Sequence, residues 1–143
     1  MSPPRPFNRI PFVEALQPSA GQVAVLALVL AAGCGGPPAG PTVTGSNPSE
    51  GAAGVDAALS SITVNFSEPM DPASGSATLA GGTGTLGAPA WEPPFVMARF
   101  PIVAPLAGGT AYVVTLGGFK SSGGIELATS PYLVDGALNF TTT

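Results

Sequence analysis

Three stretches of the chain place apolar residues at every second position, the first in clean alternation with polar ones, and each predicts a β-strand with one face buried. In 61–67, SITVNFS, the residues Ile62, Val64 and Phe66 fall on one face and Ser61, Thr63, Asn65 and Ser67 on the other. In 110–116, TAYVVTL, the residues Tyr112, Val114 and Leu116 share a face. In 136–143, GALNFTTT, Leu138 and Phe140 lie on one side, with Asn139 and Thr141 opposite. These eight apolar residues are expected to meet in one core. Shorter strands are expected at Thr42–Thr44, Ala77–Leu79, Thr83–Leu86 and Val96–Phe100. Gly- and Pro-rich turn signals (NPSEG, EPMDPASG, LGAP, PLAGG, KSSGG and VDG) fall between them. No helical period free of Gly or Pro runs for ten residues beyond Thr42. About seven short strands at this spacing predict an all-β fold, a sandwich of two antiparallel sheets over 42–143.

The first forty residues follow another pattern. Val23–Ala32 is ten apolar residues without a charge. A bilayer span needs about twenty, whereas the core of a signal peptide has this length. Arg5 and Arg9 precede it and small residues follow it, as a signal peptide requires. A buried helix is the alternative, but QPSAGQ before and GCGGPPAGP after isolate the run from any helical partner. The run ends in Leu30-Ala31-Ala32-Gly33-Cys34, which resembles the lipobox of bacterial lipoproteins. That resemblance implies cleavage between Gly33 and Cys34, a diacylglyceryl group on the Cys34 sulfur and acylation of the new amine. Small side chains suit a peptidase at the cut, and the thiol is the nucleophile for lipid transfer. Two or more acyl chains anchor a protein stably where one does not. The organisation expected is therefore a lipoprotein signal peptide over 1–33, a Gly/Pro-rich tether over 34–41 and a β-sandwich domain over 42–143.

Composition narrows the chemistry. Only 8% of residues are charged, against about a quarter in an ordinary globular protein, which points to an extracytoplasmic module. From Cys34 onward two basic residues, Arg99 and Lys120, face seven acidic ones, a net charge of −5. A phosphate backbone needs a basic footprint, so nucleic acid is excluded as a partner. The single cysteine cannot close an internal disulfide, and the absence of histidine removes Ser/His/Asp and Cys/His relays. It also removes the nitrogen ligands of a zinc site. Carboxylate chemistry and oxygen-ligand calcium binding remain. Glu68 and Asp71 flank Pro69 in SEPMDP, with Glu50 and Asp56 as further carboxylates. They either hold calcium from loops or shape the turn through side-chain bonds to the backbone. A glycosidase pair would need an aromatic-lined cleft, for which Trp91, the one tryptophan, is thin support and reads better as a core or edge plug. Gly82–Gly87, GTGTLG, has the spacing of a dinucleotide fingerprint. That reading needs a helix directly after it, and APAWEPP follows instead, so a glycine-rich hairpin is expected.

Four segments carry a wider resemblance: PTVTGSNPSEGAAGV, ITVNFSEPMD, APLAGGTAYVVTLGGFKSSGGIEL and NFTTT. Together they resemble the bacterial immunoglobulin-like domains of the SbsA type, over 41–143. The resemblance implies an immunoglobulin-like β-sandwich of the kind found in surface-layer and envelope proteins. Members usually carry an acidic residue after the lysine of the FKSSGG loop; here it is Ser121. In PLAGGTAY a turn precedes a strand that opens with Tyr112, the placing of a tyrosine corner, whose phenol bonds to backbone a few residues upstream. Leu106 would close the core beneath it. The function expected is a non-catalytic lipoprotein of the bacterial envelope, extracytoplasmic and anchored to membrane lipid through acylated Cys34. It presents a structural or adhesive module, needs no cofactor, and has an envelope protein or glycan as partner. The alternative is an accessory or carbohydrate-binding domain of a larger extracytoplasmic enzyme, of which this chain is a fragment.

Overall fold

The computed structural model describes residues 39–143. They form nine strands: β1 (Val43–Asn47), β2 (Ala52–Val55), β3 (Ser61–Phe66), β4 (Ser76–Ala80), β5 (Thr85–Leu86), β6 (Ala90–Trp91), β7 (Met97–Ala104), β8 (Ala111–Gly117) and β9 (Ala137–Thr142). One sheet has the order β1-β3-β7-β5, with β6 also paired to β7; the other has the order β2-β9-β8-β4. All pairings are antiparallel except β2 with β9, which run parallel. Seven strands have four residues or more, and β5 and β6 have two each.

The three alternating stretches are β3, β8 and β9, in the registers their patterns require. Ile62, Val64, Phe66, Tyr112, Val114, Leu138 and Phe140 are all buried in one cluster, joined by Phe100 and Ala98 from β7. Leu116 was expected there too. It is half-buried and packs against that cluster from its margin, where its side chain lines a groove. Four core residues come from loops rather than strands: Met70, Leu106, Phe119 and Leu133.

β2 was not foreseen. Its sequence, AAGV, has neither alternation nor β-branched residues before Val55. It exists because β9 offers an edge: Ala52 registers with Phe140 and Val55 with Thr142. β7 is longer than expected, since it runs through Pro101. Proline lacks an N–H and is normally confined to edges. Here the polar side of Pro101 faces the other way from β3, and its carbonyl accepts the Gly87 N–H at 2.8 Å. The missing donor falls where the flanking strand is interrupted between β5 and β6, so no ladder bond is lost.

The strands give the sandwich two poles. β1 begins beside the end of β3, with Val43 opposite Phe66, and β7 begins there too, with Met97 opposite Asn65. β9 ends beside the start of β8, with Thr141 opposite Ala111. The chain therefore comes in through Ala39–Thr42 at one pole and reaches Thr143 at the other.

Candidate functional site

At the incoming pole three loops lock together. The Ser67–Gly75 loop lies between 92–96 and 118–126. Met70, fully buried, donates its N–H to the Phe95 carbonyl at 3.0 Å, and Ser122 donates to the Pro69 carbonyl at 2.9 Å. Phe95 takes φ +62°, a left-handed conformation that a bulky residue rarely adopts; the turn it makes presents its carbonyl to Met70. Ser74 Oγ accepts the Lys120 N–H at 2.9 Å, and the Asp71 N–H donates to the Lys120 carbonyl at 2.9 Å. Ser121 is buried, and its Oγ accepts the N–H of Ile125 at 3.2 Å, closing the hairpin. An acidic side chain in so enclosed a place would need a partner for its charge, and serine needs none. Beneath these loops Phe66 stacks on Trp91 with ring centroids 5.7 Å apart and touches Phe119 at 5.7 Å. Trp91 is half-buried against the core at the sheet edge.

No three of the carboxylates proposed from the sequence are brought together. Asp71 Oδ1 accepts the Ala73 N–H at 2.9 Å, holding its own turn. Asp56 Oδ1 does the same for Ala58 at 2.8 Å, at the opposite pole. Glu50 grips β9 instead: Oε2 accepts the Asn139 N–H at 2.7 Å and Oε1 accepts the Asn139 amide at 3.0 Å. That clamp was not legible in the sequence, where Glu50 reads as part of a turn. Glu68 Oε1 is buried without a hydrogen-bond partner among the described residues. No group of three His, Cys, Asp or Glu side chains suited to a metal occurs among the described residues. Unfolding in excess calcium and in chelator should therefore give the same midpoint. A ligand at about a hundred times its dissociation constant adds roughly 2.7 kcal/mol, so binding at Glu68 and Asp71 would show as a shift on the order of ten degrees.

Tyr112 opens β8 at the far pole and is 1% exposed. Its hydroxyl accepts the Ala107 N–H at 2.7 Å, five residues upstream, and donates to the Thr83 carbonyl. Leu106 is buried beside it. The Gly82–Gly87 run leads from β4 into β5 with no helix after it. Cys34 and Gly33 lie outside the described residues, as does most of the 34–41 tether.

Three open grooves mark the surface of the described residues. One runs along Leu116, Leu127 and Leu133 with Ser130 and Asp135 at its rim, the next along Leu116, Phe119 and Glu126, and the third along Leu59, Ile102 and Pro105. None brings two ionisable side chains together, which acid–base chemistry on a carboxylate pair requires. Near the first groove the Tyr132 phenol is held below the ordinary tyrosine range, chiefly by its hydrogen bond with the Ser46 side chain. Burial acts weakly the other way.

The profile of the bacterial Ig-like domain family matches residues 38–142. Three solved structures are similar in fold: the crystal structure of the S-layer protein SbsC, domains 1-6 of the same surface layer protein, and its N-terminal part. Identities are 23%, 23% and 24%, and the TM-score is 0.49 for each. Each comparison covers 87% of this chain, but only 16%, 16% and 27% of the other. No curated protein matches.

Proposed function

This chain belongs to the bacterial Ig-like domain family, and from that membership we propose that it is a non-catalytic envelope lipoprotein whose sandwich serves as a spacer. Domains of this family are typical of surface and envelope proteins. The observation that carries the reading is the placing of the two ends of the domain. Pro41 enters at one pole, where its carbonyl accepts the Ala128 N–H, and Thr143 sits at the other, bonded to the Val55 carbonyl. A domain threaded pole to pole separates whatever lies at its two ends. β7 alone, at eight residues, spans about 26 Å. The grooves, each with at most one ionisable side chain, support a structural role over a catalytic one.

The anchor is tested directly. Cells expressing the native sequence should incorporate labelled fatty acid into the protein and retain it in the membrane fraction. Cys34→Ala should lose the label and much of the membrane retention. A variant that stays in the membrane as fully as the native protein places the anchor elsewhere.

A further inference from the structure

We propose that the free edge of β4 is a pairing edge for a second copy of this chain. An exposed strand edge is a row of unpaired N–H and C=O groups, and proteins ordinarily blunt it. Three of the four edges here are blunted. The segment 128–132 lies along β1: the Pro41 carbonyl just before it accepts the Ala128 N–H at 2.8 Å, the Val43 carbonyl accepts the Ser130 hydroxyl at 2.6 Å, and the Tyr132 phenol is hydrogen-bonded with the Ser46 side chain. β5 and β6 have two residues each and are separated by Gly87–Pro89. β2 has a register shift between Ala52 and Val55 and a left-handed Gly54 at φ +72°. β4 has none of these devices. Ser76–Ala80 pairs with Gly117–Val113 in unbroken register, and it holds no proline and no charge. Among the described residues its backbone bonds to β8 and to nothing else.

Charge selects the second copy as occupant. The four strands of this sheet contain no charged residue. The acidic side chains sit in the loops, with Glu68, Asp71, Glu92, Glu126 and Asp135 towards one pole and Asp56 at the other; Glu50 alone reaches this sheet, bonded to Asn139 of β9, two strands from β4. Two copies of a domain with net charge −5 repel each other where loops meet and least along this sheet. A two-fold axis through Thr78 sets it against the partner's Thr78, and Ser76 against the partner's Ala80. Both positions are exposed, whereas Ala77 and Leu79 turn inward and keep their place on the core. Cross-strand threonine pairs are favourable. Gly75 at φ +81° and Gly81 at φ +125° end the strand on both sides, which limits the pairing to five residues. Such an interface is small and its association weak and reversible. It is isologous and closes at the dimer, since the opposite edge of the sheet, β2, is blunted. This inference does not depend on the lipid.

The full chain in mild detergent is compared with T78K and T115K by sedimentation velocity over a concentration series. Thr115 is exposed, and it is the register partner of Thr78 one strand further in. Either lysine changes the net charge equally, but only the one at 78 meets its own copy. Wild type and T115K should show a monomer–dimer equilibrium, and T78K should raise its dissociation constant roughly tenfold. In wild type, amide exchange over Ser76–Ala80 should slow as concentration rises, with no change over Val43–Asn47. A wild-type chain that stays monomeric throughout, or a dimer that survives T78K and leaves β4 exchange unchanged, overturns the proposal.

Discussion

Phe66→Ala is expected to lower the unfolding free energy by about 3 to 5 kcal/mol. The ring is 4% exposed and belongs to an aromatic group drawn from one sheet and a loop. Trp91 of β6 stacks on it at 27°, Phe119, past the end of β8, packs on it at 39°, and Trp91 and Phe119 meet each other at 6.2 Å. Phe119 in turn meets Phe100 edge-on at 6.2 Å. Removing the Phe66 ring opens a hole between elements that cannot all move inward, because β3 is fixed by ladders to β1 and β7. A domain of this size holds only about 5 to 15 kcal/mol, so the variant loses about a fifth of its stability or more. Denaturant unfolding followed through Trp91, the sole tryptophan, measures it. Val103→Ala, at a position 70% exposed, should change stability by less than about 0.5 kcal/mol. A loss below roughly 1 kcal/mol for Phe66→Ala would refute its place at the centre of the core.

The fold was legible where local pattern and tertiary role coincide. β3, β8 and β9 alternate because one face is core and the other is not, and that is written into neighbouring residues. β2 and β6 were not legible, since neither has a pattern of its own. Ala52–Val55 is a strand only because β9 lies alongside, and Ala90–Trp91 only because β7 does. The parallel pairing of β2 follows from a chain path that no periodicity reports. Met70 and Phe119 are core residues in loops rich in turn formers, where the sequence signals the turn and hides the buried side chain. Tyr112 was legible because a turn, a strand start and a tyrosine come together in PLAGGTAY. Its second partner, Thr83, lies 29 residues away and leaves no local sign. The same holds for the Glu50 clamp on Asn139, 89 residues apart.

Tyr112→Phe should cost about 2 to 4 kcal/mol, although it keeps the ring and its stacking on Phe140 at 5.5 Å. What it removes is one hydroxyl serving two backbone groups, the Ala107 N–H and the Thr83 carbonyl. Each group left unsatisfied costs about 1 to 3 kcal/mol when buried, and the exposure of Thr83 lets water restore part of its share. The hydroxyl ties the 81–85 crossing between sheets to the 105–110 turn, so the Ala107 amide should exchange faster in the variant even where global stability is matched. Gly82 supplies the control. A Cβ there would come 2.8 Å from the Tyr112 hydroxyl and 2.8 Å from the Thr110 methyl group, so the glycine leaves room for the phenol to reach Thr83. Gly82→Ala should therefore destabilise the wild type by forcing the hydroxyl aside, and destabilise the Tyr112→Phe background less, because the Thr110 side chain can yield. A double-mutant cycle reads this as a coupling of about 0.5 kcal/mol or more. Strict additivity, together with a Tyr112→Phe loss under about 0.5 kcal/mol, would mean that the ring alone holds this corner and the hydroxyl contributes nothing.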